Sequence, residues 1–286
     1  MKNIYSQNGE DGIIEKILDK LKCADIDKWC VEFGAWDGIH LSNTYNLIKN
    51  EQYSAVLIEG DKAKFKDLNK NIPQKEVIKI CKFIKFEGKD TLDGILKTTP
   101  IPMGFDLLSI DIDGCDYHIF DSLEYYRPKI ICIEFNPSVP NEVEYVQPRD
   151  FNVKRGASAK SIINLANKKG YDLVDVTLCN IFLVRNDLSG LVTGGKTIRL
   201  EDIRDDSNSK VFLFTGYDGT VLSNKEELSI AWHTGIPMRI SKMQYMPKYL
   251  RTYYNNYNIV QKILFFLWMA LKNTKHFLQF FKNQIK

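Results

Sequence analysis

The chain is poorly equipped for disulfide or zinc chemistry. Its six cysteines, Cys23, Cys30, Cys81, Cys115, Cys132 and Cys179, are scattered, with no C-x-x-C pair. Four of them lie in apolar runs that read as strands or strand edges, the thiol usage of a reducing compartment. Charge of one sign is also scarce, since 39 Lys and Arg against 36 Asp and Glu leave a net +3. No tight run of basic residues mixed with aromatics offers a groove to a phosphate backbone, so nucleic acid is not an expected partner. Long apolar runs are missing too. The longest, Ile263–Leu271, is far too short to span a bilayer, and "MKNIYSQNGEDGII" lacks the apolar centre of a signal peptide. A cytoplasmic protein is the expectation. There is no G-x-G-x-x-G, which disfavours a nicotinamide dehydrogenase, and there is no internal repeat.

What is present is an ordinary globular composition, 44% hydrophobic and 26% charged over 286 residues, enough for one large domain or one domain with an appendage. The first 188 residues alternate two patterns. "DGIIEKILDKLKC", "SNTYNLIKNEQ" (capped by Ser42 or Asn43), "KAKFKDLNKNI", "DTLDGILKTT", "YHIFDSLEYY" and "SAKSIINLANKKG" have helical spacing. Between them, "KWCVEFGAWDG", "SAVLIEGD", "EVIKICKFI", "FDLLSIDID" and "KIICIEFN" are continuous apolar runs. Strands of that kind, alternating with helices, predict a parallel sheet covered on both faces, a doubly wound α/β fold. "YDLVDVTL" and "NIFLVRND" then read as two strands joined by a tight turn around Cys179 and Asn180. Residues 189–250 are weakly patterned and read as an irregular extension shaping an acceptor site. Residues 251–286 read as an apolar, basic helix.

In an open parallel sheet, ligands sit beyond the carboxyl ends of the strands. The first strand there ends in "VEFGAWDG", where Gly34 permits a tight turn and Gly38 leaves room for a ligand near the next helix. Glu32 and Asp37 place carboxylates in this turn. They would repel a pyrophosphate and welcome hydroxyls or a positive charge. Glu59, 21 residues after Gly38, ends the second strand and suits ribose hydroxyls. A positively charged nucleoside is the expected ligand.

"YSQNGEDGII", "VEFGAWDG", "SNT", "LIEGD", "LLSIDIDG-DY" and "IEFN", in this order over about residues 4–187, resemble the FkbM-type methyltransferases. These are class I enzymes dependent on S-adenosylmethionine. The resemblance implies a seven-stranded Rossmann-like, mostly parallel sheet with an antiparallel edge hairpin. It implies that Glu32, Gly34 and Gly38 line the methionine end of the cofactor and that Glu59 holds the ribose; Asp37, Asn43 and Asp111 are further cofactor-binding candidates. Phe83 is the candidate for the adenine pocket. Gln7, with Tyr5, Ser6 and Asp11, would close over the cofactor or cap a helix. The implied reaction is O-methylation of a sugar hydroxyl, on a bacterial surface glycan or its nucleotide- or lipid-linked precursor. Cys115 departs from the pattern by standing where Asn is expected.

"LLSIDIDGCDYHIF" concentrates charge after an apolar strand. Asp111, Asp113, Glu134 and Asn136 make a set of hard oxygen ligands suited to magnesium or calcium; some class I methyltransferases hold such a cation there. The competing reading has Asp113 capping the next helix and Glu134 bonding a loop. His118 is the natural general base, with an ordinary pKa of about 6.5, and Asp113 its rival. Cys115 reads as a packing residue whose thiol nearby carboxylates push up.

In the tail, "NIVQKILFFLWMALKNTKHFLQFFKNQIK" is apolar with lysines at its edges. It reads as a helix packed on its own domain or on a second copy, or as an anchor at the inner membrane face. Two other functions are open. Asp111-Ile112-Asp113 matches the D-x-D of metal-dependent nucleotide-sugar glycosyltransferases, although those enzymes do not require the "EFGAWDG" turn. A non-catalytic membrane-associated binding protein is the other.

Overall fold

Alternation within the strands decides how the sheet is buried. In the computed structural model, which describes residues 3–230 and 235–284, neighbouring residues of one strand enter opposite cores, as the two-residue repeat of a strand requires. Val56 and Ile58 pack with one cluster, Ala55 and Leu57 with the other. The elements in chain order are α1 (Glu10–Lys20), β1 (Trp29–Phe33), α2 (Tyr45–Asn50), β2 (Ser54–Glu59), α3 (Lys62–Asn71), β3 (Val77–Cys81), α4 (Leu92–Leu96) and β4 (Leu107–Ile110). They continue with α5 (Asp116–Ser122), β5 (Ile130–Glu134), α6 (Ala159–Lys168), β6 (Tyr171–Val176), β7 (Asn180–Arg185), α7 (Asn186–Thr193) and α8 (Leu200–Ile203).

The seven strands are ordered β3-β2-β1-β4-β5-β7-β6. β1, β2, β3, β4 and β5 pair in parallel, and β7 runs antiparallel to both β5 and β6. This is the expected mostly parallel Rossmann-like sheet with its antiparallel hairpin. One core holds α4, α5 and α6 through Leu92, Phe120 and Ile162; the other holds α1, α2 and α3 through Ile14, Leu47 and Leu68. Strand order reverses between β1 and β4, and a crevice at the carboxyl ends follows there.

The first compact unit runs from Met1 to Ser209, past residue 188, and the second from Lys210 to Lys286. Residues 189–250 are more regular than their pattern suggests. They include most of α7, all of α8, and two hairpins, β8 (Leu213–Thr215) with β9 (Val221–Ser223) and β10 (Glu227–Ile230) with β11 (Ile236–Arg239). Strands this short carry too few residues to display a period. The expected single terminal helix is two, α9 (Ile259–Lys272) and α10 (Thr274–Gln284). Asn273 leaves the helical region between them, at φ −149°. No helix among the described residues is long and apolar enough to cross a membrane.

Candidate functional site

Gly34 makes the crevice possible. It sits at φ +83°, and a β-carbon there would collide with the backbone carbonyl of Asp111. The close approach of the turns after β1 and β4 therefore needs glycine. Gly38, at φ +80°, also serves packing: a β-carbon there would meet Leu68 of α3 and Ile72 just after it, both at 2.6 Å.

Most of the candidate acids near β1 already have donors. Glu32 is buried. It accepts from the Ser42 hydroxyl at 2.6 Å, the Thr44 hydroxyl at 2.8 Å and the Asn43 N–H at 2.8 Å. Burial raises its pKa and these bonds lower it. The carboxylate thus organises the "SNT" segment. Ser42 in turn accepts from the Tyr45 N–H at 3.0 Å at the start of α2, and Asn43 reaches across to Ser109 Oγ at 3.1 Å. Asp37 closes a turn, accepting from the N–H groups of Ile39 and His40 at 2.9 and 2.7 Å.

Glu59 is different. Each of its oxygens accepts one backbone N–H, from Trp36 at 3.0 Å and from Asp61 at 2.7 Å. A carboxylate has about four acceptor positions, so about two are left for hydroxyls. Phe83 lies beside it, its ring against Gly60 where any β-carbon would strike it. The ring is 74% exposed. An exposed aromatic face thus stands next to a half-engaged carboxylate.

β4 ends at Ile110, so Asp111 to Asp113 lie in the loop, with Asp113 at φ +56°. That left-handed backbone at a non-glycine residue is uncommon and marks strain. Asp111, Asp113 and Glu134 bring one carboxylate oxygen each within 4.8 Å of one another. Burial first, and then the charges of Asp116 and Asp113, pushes Asp111 up to about 8; burial first, and then Asp111, Asp116 and Asp113, pushes Glu134 up to about 10. Asp116 does not join them. Its two oxygens accept the Ile112 and Gly114 N–H groups, both at 2.9 Å, so it holds the loop itself. This also settles the helix start, because Asp113 makes no cap and Cys115 occupies the capping position without a side-chain bond. Asn136 is drawn away from the acids. Its Oδ1 accepts from Ser138 N–H and Oγ at 2.9 and 2.6 Å, and its Nδ2 donates to the Arg155 carbonyl at 2.8 Å.

His118 is fixed by α5. Its Nε2 lies 2.8 Å from the Gln147 carbonyl oxygen. A carbonyl only accepts, so Nε2 carries the proton and a neutral ring keeps its lone pair on Nδ1. Phe86 and Tyr117 stand edge-on to the ring. Cys115 is buried and receives a bond from Gln147 Nε2 at 3.0 Å. Burial is the first cause of its raised pKa, with Asp116 adding less.

The "YSQNGEDGII" segment is organised by its own acids. Asp11 accepts from the N–H groups of Ile4 and Tyr5 at 2.9 and 2.7 Å and from the Ser6 hydroxyl at 2.9 Å. Gln7 is exposed, its Oε1 facing Cys179 Sγ at 3.9 Å. Glu10 is the residue sequence reasoning passed over. Wholly buried, it bonds Asn8 N–H and Thr177 Oγ1, both at 2.7 Å, and so ties the segment to the β6–β7 turn. Asn180, in register with Glu134, has a buried Oδ1 with no partner among the described residues. Lys154, also missed, donates to the Ile112 carbonyl at 3.0 Å. A first-turn glutamate and a distant lysine look like ordinary surface charges in a sequence.

No family model and no curated protein matches the chain. Solved structures match in part. One is an amino pentose methyltransferase from Micromonospora echinaspora with S-adenosylmethionine bound, at 10% identity and TM-score 0.39, covering 65% of this chain and 99% of that one. Another is a S-adenosylmethionine-dependent methyltransferase from Aquifex aeolicus, at 12% identity and TM-score 0.35, covering 59% and 87%. A glycopeptide N-methyltransferase matches at 7% identity and TM-score 0.35, covering 59% and 85%. The share is below two thirds for some solved chains: 60% of one from Galdieria sulphuraria and 46% of an enzyme of pericyclic reactions. At such identities a shared reaction does not follow.

Proposed function

We propose that this chain is an S-adenosylmethionine-dependent methyltransferase of the FkbM type that methylates a sugar hydroxyl. The acceptor is a surface glycan or its nucleotide- or lipid-linked precursor. The observation that carries this is the acid rim at the reversal of strand order. There, Glu59 has acceptor positions to spare beside the exposed Phe83 ring, and the carboxyl groups of Asp111, Asp113 and Glu134 converge within 4.8 Å of one another. The six sequence motifs support the same reading. These residues fit a donor with ribose hydroxyls, an adenine ring and a cationic head.

In this reading Glu59 accepts from the ribose hydroxyls and Phe83 covers the adenine. The Gly34 turn lets the donor approach the backbone, and Asp111 faces its positive end. The donor, when bound, supplies an electrophilic methyl group on a sulfonium. The chain's task is to align an acceptor oxygen with that carbon and remove its proton. Nδ1 of His118 takes the proton, with Asp113 as the alternative. His118→Ala should lower turnover roughly a hundredfold with donor affinity unchanged; full turnover in the variant removes His118 from the mechanism.

Asp111, Asp113 and Glu134 also suit a hard divalent cation. A cation held there would grip acceptor oxygens and acidify one; activity untouched by EDTA discards that part. Thermal shift with S-adenosylmethionine, S-adenosylhomocysteine, UDP-sugars and NAD tests the whole reading. Stabilisation by the first two alone is expected. Stabilisation by a UDP-sugar with a metal would replace it with the glycosyltransferase.

A further inference from the structure

Charge is divided unevenly along this chain. Residues 228–286 contain nine Lys and Arg and no Asp or Glu, so residues 1–227 carry all 36 acids and are net −6. The near-neutral total conceals an acidic majority and a basic terminal segment. Such a segment is attracted to an anionic surface.

The same segment carries an apolar stripe. On α9, Val260, Ile263, Leu267 and Leu271 are 63%, 55%, 56% and 83% exposed. Steps of three, four and four residues put them on one side of the helix, opposite Met269, which is buried. Tyr245, Tyr249 and Tyr253, in the same unit, are also at least half exposed. Lys262 and Lys272 lie on the side of α9 away from the stripe, Lys275 and Lys282 lie on α10, and all four are exposed. A 14-residue helix is about 21 Å long, too short to cross a bilayer but suited to lying in its surface.

We infer that the second unit docks on an anionic phospholipid membrane, with α9 lying in the plane of the interface. The aliphatic stripe enters the acyl boundary, the tyrosines sit at headgroup level, and the lysines meet lipid phosphates. Charge speaks against a second copy on the same face, since two segments without a carboxylate would repel. Nucleic acid would use the lysines but has no use for the aliphatic stripe. The inference stands apart from the methyl-transfer reading and can fail without it.

Full-length protein floated with phosphatidylcholine vesicles, with and without phosphatidylglycerol, tests it. Strong recovery is expected only with the anionic lipid. Ile263→Asn with Leu267→Asn should weaken binding roughly tenfold or more. Replacing Lys262, Lys272, Lys275 and Lys282 with Gln should abolish the preference for anionic lipid. Both variants change exposed side chains, and unchanged circular dichroism verifies their folds. Recovery independent of lipid charge overturns the inference. So does binding unaffected by the aliphatic changes, or a salt-sensitive preference for a DNA duplex over vesicles. Dimerisation through α9 without vesicle binding overturns it as well.

Discussion

The paired strands β4 and β5 meet acids at both of their ends and treat them in opposite ways. At the amino end, Asp106 is fully buried, and Lys129 reaches it at 2.8 Å while also bonding Asp27 at 2.7 Å. The N–H groups of Asp27 and Lys28 complete the Asp106 carboxylate at 3.1 and 2.8 Å. At the carboxyl end, Asp111 and Glu134 share no such cation and are pushed up in pKa. The same two strands thus present an acid whose charge the protein compensates and acids that, without a cation beside them, keep their protons more tightly. An acid whose oxygens are met by the protein is structural. An ionised acid left to repel its neighbours costs stability, and a bound cation or a proton offsets that cost.

The contrast can be broken most severely at the compensated end. Lys129→Met should strand Asp106 and cost about 3–5 kcal/mol, seen in urea unfolding; a loss below 1 kcal/mol would show that the ion pair is not what holds this end. At the other end the sign should reverse. Asp111→Asn should raise the melting point of the donor-free protein while weakening S-adenosylmethionine roughly tenfold to a hundredfold by calorimetry. A melting point that falls instead means Asp111 is structural.

The pH dependence follows from the same difference. Asp111 and Glu134 bind a proton more tightly folded than unfolded, where a carboxyl titrates at about 4. Their contribution to stability is fully present below that value and is lost as pH rises through about 8 and about 10. The donor-free melting point should therefore fall across this window, and Glu134→Gln should flatten the fall. An unchanged slope in the variant would mean that Glu134 is not titrating there. Smaller effects are expected on the β2 side. Glu59→Gln should weaken the donor about tenfold, and Phe83→Ala about fivefold through lost stacking. Equal affinities in these variants would move the nucleoside elsewhere.

Periodicity alone determined much of this protein. Continuous apolar strands between amphipathic helices are enough to specify a doubly wound parallel sheet, because only burial on both faces accounts for them. The tight turn at Gly34 was legible too, since φ preference is a local property. The carboxyl groups of Asp111, Asp113 and Glu134 could be grouped from their strand ends, but Asn136, grouped with them, is taken by Ser138 and Arg155. What the sequence could not assign was the duty of each acid. Glu32 and Glu134 both end strands, yet Ser42, Asn43 and Thr44 engage the first, while Asp111 and Asp113 crowd the second. Nothing in the sequence marked Glu10 as the residue that meets Thr177, or Gly38 as a packing point for Leu68 and Ile72. Those assignments depend on donors and side chains far away in the chain, which only tertiary packing brings within hydrogen-bond or van der Waals reach.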